Sequence, residues 1–196
     1  MVDLMSRDPK KKLVHYPDVR HLIRDGDLLL FRQPGLIATM GRGIHNHAAK
    51  IAWWDDDLFI LEMLQFVGGR AVTLSSQVEG WPEQWDVYET NPDKQRPEYY
   101  RTGSTHFMKR LCGAQYGYFN LLRAALLHMP LVRCLVRAET EDSIRKSRPL
   151  FCSQACALAD RIGGNVDPVP NLADRLTEPA DLARSSFYRY RFTLIP

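Results

Sequence analysis

Cys152 follows Pro149-Leu150-Phe151 and opens the run Cys-Ser-Gln-Ala-Cys-Ala-Leu-Ala, an apolar pattern of helical period. A free thiol titrates near about 8.5, so little of it is thiolate at neutral pH. The unpaired N–H groups of a helix N-terminus lower that value and can also hold a developing oxyanion. A cysteine so placed has what a nucleophile needs. The ordinary alternative is a small buried hydrophobe, and that is how Cys112, Cys134 and Cys156 read. No two of the four form a CxxC pair, so reduced thiols are the expectation.

The base is offered by His45-Asn46-His47. Two residues apart on a strand, the imidazoles would share one face, and His47 leads directly into the apolar run Ala48-Ala49-Lys50-Ile51-Ala52. A histidine at a strand start is also a common hydrogen-bonding surface group. Glu62 stands in Phe59-Ile60-Leu61-Glu62-Met63-Leu64. A carboxylate buried in such a strand costs several kcal/mol unless paired. It either faces water on an edge strand or has a partner, and an imidazole whose tautomer it fixes is the partner that would make chemistry.

The elements that must position these groups follow from periodicity. Strands are expected at 28–32, 48–54, 58–64, 70–74 and 85–89, with Asp55-Asp56-Asp57 turning the second into the third as a hairpin. A final alternating strand covers 188–195. Helices are expected at 97–112, 116–129 and 152–162, the last stopped by Gly163-Gly164. Residues 138–148 read as an exposed polar segment, loop or helix, and 165–186, with Pro168, Pro170 and Pro179, as mostly loop. Strands first and helices afterwards indicate an α+β fold with a small antiparallel sheet packed against helices. Residues 1–20 read as a flexible N-terminal arm and 21–196 as a single domain.

The 196 residues, 45% hydrophobic and 25% charged, suit one globular domain. A net charge of +3 from 26 basic and 23 acidic residues, scattered apart from Lys10-Lys11-Lys12, argues against nucleic acid. The N-terminus lacks the apolar core of an export signal, so a cytoplasmic protein is the expectation; phage encoding or release by another route would carry it to an outside target. The stretch 121–136 is interrupted by Arg123, His128, Pro130 and Arg133 and is too short for stable membrane insertion.

An early histidine, a carboxylate on the next strand and a late cysteine opening a helix together resemble the circularly permuted papain-like hydrolases of the NlpC type, particularly the YiiX-like branch. The matching segments are Asp25-Gly26-Asp27-Leu28-Leu29-Leu30, Asn46-His47-Ala48-Ala49-Lys50-Ile51, Ile60-Leu61-Glu62-Met63, Gly113-Ala114-Gln115-Tyr116-Gly117-Tyr118 and Phe151-Cys152-Ser153-Gln154. The late Glu178-Pro179-Ala180-Asp181-Leu182-Ala183 looks like the family's closing stretch. The resemblance spans about residues 22–192. It implies Cys152 as nucleophile, His47 as general base and acid, Glu62 as orienter and Tyr116 as a tyrosine beside the site. It further implies a permuted papain-like fold and hydrolysis of amide bonds through a thioester, often in peptidoglycan-type peptides, without a cofactor or metal. The family commonly has a small hydroxyl residue before the histidine; here Asn46 precedes it, and His45 adds a second imidazole. Rival readings are a thiol-dependent acyltransferase or lipid acyl hydrolase, a zinc module built from His45, His47, Cys152 and Cys156, and a non-catalytic binding module.

Overall fold

Side chains that alternate in type along short apolar runs build a seven-stranded sheet with a buried cluster on each face. The computed structural model describes residues 9–35, 38–39, 43–94, 96–115 and 150–196. In chain order the elements are β1 (Leu13–His15), α1 (Tyr16–Val19), β2 (Leu28–Arg32), β3 (His45–Trp54), β4 (Asp57–Leu64), β5 (Gly68–Thr73), α2 (Leu74–Gly80) and β6 (Trp85–Thr90). They continue with α3 (Arg101–Arg110), α4 (Cys152–Leu158), α5 (Pro179–Arg184) and β7 (Tyr188–Ile195). The sheet order is β1-β7-β6-β2-β3-β4-β5. Its neighbours are antiparallel except β1 and β7, which run parallel.

The parity of each strand decides which face a residue serves. Leu28, Leu30, Ala48, Ala52, Leu61 and Met63 point to one face, under Met108 of α3, Phe151 and Ala155 beside and within α4, and Leu182 of α5. Leu29, Phe31, Ala49, Ile51, Leu58 and Ile60 point to the other, under Tyr16 and Val19 of α1 and Leu74 and Val78 of α2. Each fully buried large aliphatic side chain contributes about 1.5–3 kcal/mol. β2 and β3 lie inside the sheet and are apolar on both faces, which is why their sequences read as near-continuous runs.

The architecture is α+β, with helices on both faces of a mixed sheet. The sheet departs from the small, wholly antiparallel one expected. Residues 13–19, assigned to a flexible arm, form β1 and α1: Leu13, Val14 and His15 pair with Thr193, Leu194 and Ile195. A three-residue edge strand with exposed flanks carries almost no periodic signal, so only its partner reveals it. Leu74, expected to end a strand, opens α2, where Leu74 and Val78 share the buried face at helical spacing. The stretch 165–186, expected to be mostly loop, holds the short helix α5. Pro179 occupies the first turn of α5, and Glu178 and Asp181 form a reciprocal capping box there. The expected helices at 116–129 and the segment 138–148, with Cys134, lie outside the described residues, as does Tyr116.

The orientation of α4 is fixed at its far end. The helix runs on into a π-helical turn, Ala159–Gly163, where Asp160 is wholly buried. Lys50 Nζ, from β3, lies 2.7 Å from Asp160 Oδ1 with both side chains fully buried. The same ammonium donates to Gly26 O at 2.9 Å and to the Tyr188 hydroxyl at 2.6 Å. Asp160 also accepts from Tyr99 and Ser104, at 2.8 and 2.9 Å, and from Tyr188. Gly103 of α3 and Gly163 approach so closely that a Cβ on either would strike the other's carbonyl. Together these contacts clamp α4 against β3 and α3.

Candidate active site

A β-bulge separates the two histidines. β2 pairs with β3 as Leu30↔Ala48 and Phe31↔His47, but then as Arg32↔His45, so Asn46 is an extra residue. One inserted residue reverses the parity of everything before it. His47 therefore stays on the face of Phe31 and Trp85, its ring edge-on to Trp85 at 6.4 Å between centroids. His45 turns to the opposite face, edge-on to Tyr88 at 5.9 Å, and is 1% exposed. The shared face expected of an unbroken strand is thereby corrected. His45 Nε2 lies 2.7 Å from Asp86 Oδ2, an oxygen that also accepts from Arg32 Nε at 2.6 Å. Thr193 donates to the other Asp86 oxygen at 2.6 Å. His45 thus belongs to a buried network that ties β3 to β2, β6 and β7.

His47 meets Glu62. In the β3–β4 ladder Ala49 faces Glu62, so His47, two residues before Ala49, is its diagonal neighbour on the same face. His47 Nε2 lies 2.6 Å from Glu62 Oε2. On the far side, Arg70 of β5 pairs directly with Glu62, and its Nε and Nη2 each lie 2.7 Å from Glu62 Oε1. Burial opposes the charge on Glu62, but His47 and then Arg70 outweigh it and hold the carboxyl below its ordinary range. The cost of placing this carboxylate in an apolar strand is thus offset by partners on both sides.

Cys152 is the first residue of α4, after an extended Phe151. The body of the helix packs on the face opposite His47, through Phe151, Ala155 and Cys156. Its thiol nevertheless joins the lining of the His47 cleft. The β3–β4 ladder begins at Ala49↔Glu62 while β3 itself begins at His45, and the helix N-terminus meets the sheet at this fork. Cys152 hydrogen-bonds with His47 and accepts from the backbone N–H groups of Ala48 and Ser153. Burial pushes the thiol up, but the imidazolium and these hydrogen bonds prevail and lower its pKa. Burial likewise disfavours charge on His47; the Cys152 thiolate and Glu62 overcome it and raise the imidazole to about 10. Cys156, one turn on, is driven well above the ordinary thiol range by burial. Cys112, expected in the core, is exposed; it lies in the turn after α3 rather than on the helix's buried face.

These groups share a cleft of about 340 Å³. Phe31, Trp81 and Trp85 form one wall, and Gln33, Gln65 and Gln77 add neutral amides. Three of the four expected site residues, Cys152, His47 and Glu62, are brought together in it. Arg70 was not singled out from sequence. The available signal was its register: a hairpin of β4 and β5 sets Arg70 opposite Glu62, the carboxylate inside the apolar run 58–64.

No protein-family model matches the chain. No curated protein matches it. Among solved structures it is similar to the crystal structure of the metalloprotein yiiX from Escherichia coli O157:H7, with a TM-score of 0.58 and 11% identity, over 88% of this chain and 98% of that one. At that identity the likeness is one of fold. Among the described residues no group of three His, Cys, Asp or Glu side chains is arranged to hold a metal ion. Of the four residues of the zinc reading, His45 is committed to Asp86 on the other face and Cys156 is held as a thiol. No helix among the described residues is long and apolar enough to cross a membrane.

Proposed function

We propose that the protein is a cysteine hydrolase that cleaves amide bonds through a thioester. Cys152 is the nucleophile, His47 the general base and acid, and Glu62 the group that orients His47; Tyr116 is assigned beside the site by the resemblance alone. The observation that carries this reading is the contact of Cys152 with His47 at a helix N-terminus, with the thiol pKa lowered and the imidazole pKa raised. The histidine–carboxylate–cysteine order and the YiiX-like fold support a permuted papain-like enzyme.

In the cycle, Glu62 occupies Nε2 of His47, leaving Nδ1 for the sulfur. The Cys152 thiolate attacks the substrate carbonyl carbon, and the N–H groups that open α4 stabilise the oxyanion. His47 gives its proton to the leaving nitrogen, the C–N bond breaks and the amine departs. Water then loses a proton to His47 and attacks the thioester. The acid leaves, and the thiolate–imidazolium pair is restored. An imidazole suits both transfers because the same ring nitrogen can give and then take the proton. No step is routed through a metal.

Peptidoglycan-type peptides are the substrate class the resemblance suggests. The apolar wall of the cleft also favours an acyl-lipid, and with it the acyltransferase variant, in which an alcohol or amine replaces water. Incubation with peptidoglycan fragments and acyl-lipids, with products identified by mass spectrometry, separates these. Trapping an acyl group on the Cys152 peptide supports the reading; full turnover by Cys152→Ala ends it.

A further inference from the structure

Four aromatic or imidazole rings form a continuous line from solvent to the proposed base. Trp81, half exposed, stands edge-on to Phe31, with centroids 5.7 Å apart and planes at 89°. Phe31 leans on Trp85 at 4.7 Å, and Trp85 abuts His47. Trp81 is held where it is: it caps α2, with its N–H on Gln77 O at 3.0 Å. A large indole half in water, fixed at the mouth of a cleft, is an apolar surface without an internal partner for its outer face.

The charges that the described residues bring to the same cleft are already matched. Among the described lining residues the ionisable groups are Arg70, Glu62, His47 and Cys152, and they pair in sequence: Arg70 with Glu62, Glu62 with His47, His47 with Cys152. Gln33, Asn46, Gln65 and Gln77 complete the rim with neutral amides. Among the described residues a carboxylate or ammonium on the substrate would be desolvated there without a free counter-charge, whereas an apolar group gains the aromatic wall.

Resting on the proposed function, we infer that the group flanking the scissile carbonyl is uncharged and apolar, and that Trp81 is the residue that selects it. The wall grips that group, and the neutral amides serve the polar atoms on either side of it. Selection acts on binding beside the thiol and leaves the thiol's own activation to His47.

The test uses N-substituted iodoacetamides, which share one electrophile and differ in the attached group: benzyl, hexyl, carboxyethyl and aminoethyl. Rates of Cys152 alkylation are read by mass spectrometry of its peptide and divided by the rate with plain iodoacetamide. Benzyl and hexyl probes are expected to exceed the two charged ones by about tenfold, the size of one good apolar contact. That ratio should collapse in Trp81→Ala and survive largely in Trp81→Phe. A charged probe that equals or exceeds the apolar ones, or a preference unmoved by Trp81→Ala, overturns the inference while leaving the nucleophile intact. A Cys152 that reacts with plain iodoacetamide no faster than the exposed Cys112 at pH 6 overturns the hydrolase reading itself, and the inference with it.

Discussion

His47 Nε2 sits 2.6 Å from Glu62 Oε2 although the two side chains hang from different strands. They are diagonal partners of the β3–β4 ladder, and Arg70 bonds the carboxylate from its other side. The imidazole is therefore fixed in orientation by a group that is itself fixed. The second histidine, two residues earlier, has its own carboxylate on the opposite face.

The two imidazoles should accordingly separate by kind of effect. His47→Ala is expected to reduce amide hydrolysis by about 10²–10⁴-fold, the usual worth of a general acid–base. His45→Ala should instead cost about 1–3 kcal/mol, because it strips one partner from the buried Asp86. Steady-state kinetics and urea unfolding of both variants measure this; the opposite ranking in the kinetics would reassign the base.

Cys152 should react as a thiolate below the ordinary thiol range, since His47 lowers its pKa. Alkylation in His47→Ala should become slow at neutral pH and rise only under alkaline conditions. Turnover should fall again as pH passes about 10, where His47 gives up the proton that the leaving amine needs. A pH profile of iodoacetamide labelling beside one of hydrolysis tests both limbs.

Glu62 supplies a pH-dependent share of stability whose sign is set by its lowered pKa. The unfolded carboxyl binds a proton more tightly than the folded one, so the share is complete above about 4.5 and is lost as pH falls through the lower folded value. Wild type and Glu62→Gln should therefore converge in stability in acid and diverge above that point. At neutral pH the variant should lose more in kcat than in Tm. Kinetics unchanged by the substitution would reduce Glu62 to a structural role.

Asp160→Asn should destabilise the fold by about 3–5 kcal/mol, because it leaves the buried Lys50 ammonium without its counter-charge. Lys50→Met combined with Asp160→Leu should recover only part of that loss, because the Tyr99, Ser104 and Tyr188 hydroxyls then lack the acceptor they share. Chemical denaturation of the three variants provides the comparison. Activity should drop with the first substitution in folded protein too, as α4 loses the clamp that aims Cys152 at the fork.

Much of this molecule is local and therefore legible in the chain itself. Short apolar runs mark β2 and β4, and alternating ones β6 and β7, to within about a residue or two at each end, and the Asp55-Asp56-Asp57 turn makes neighbours of the strands bearing His47 and Glu62. An apolar helical run beginning at Cys152 places that thiol at a helix start. What folding alone decides is register and long-range packing. A single bulge at Asn46 sends His45 and His47 to opposite faces, and no composition rule marks which residue is the extra one. The parallel pairing of β1 with β7 depends on contacts across almost the whole chain. The meeting of Cys152 with His47 depends on Lys50 and Asp160, remote in sequence, which hold the helix against the opened ladder. Periodicity reports which side of an element is buried; it carries no information about which other element will cover that side, because that is settled by the shapes and charges of residues far along the chain.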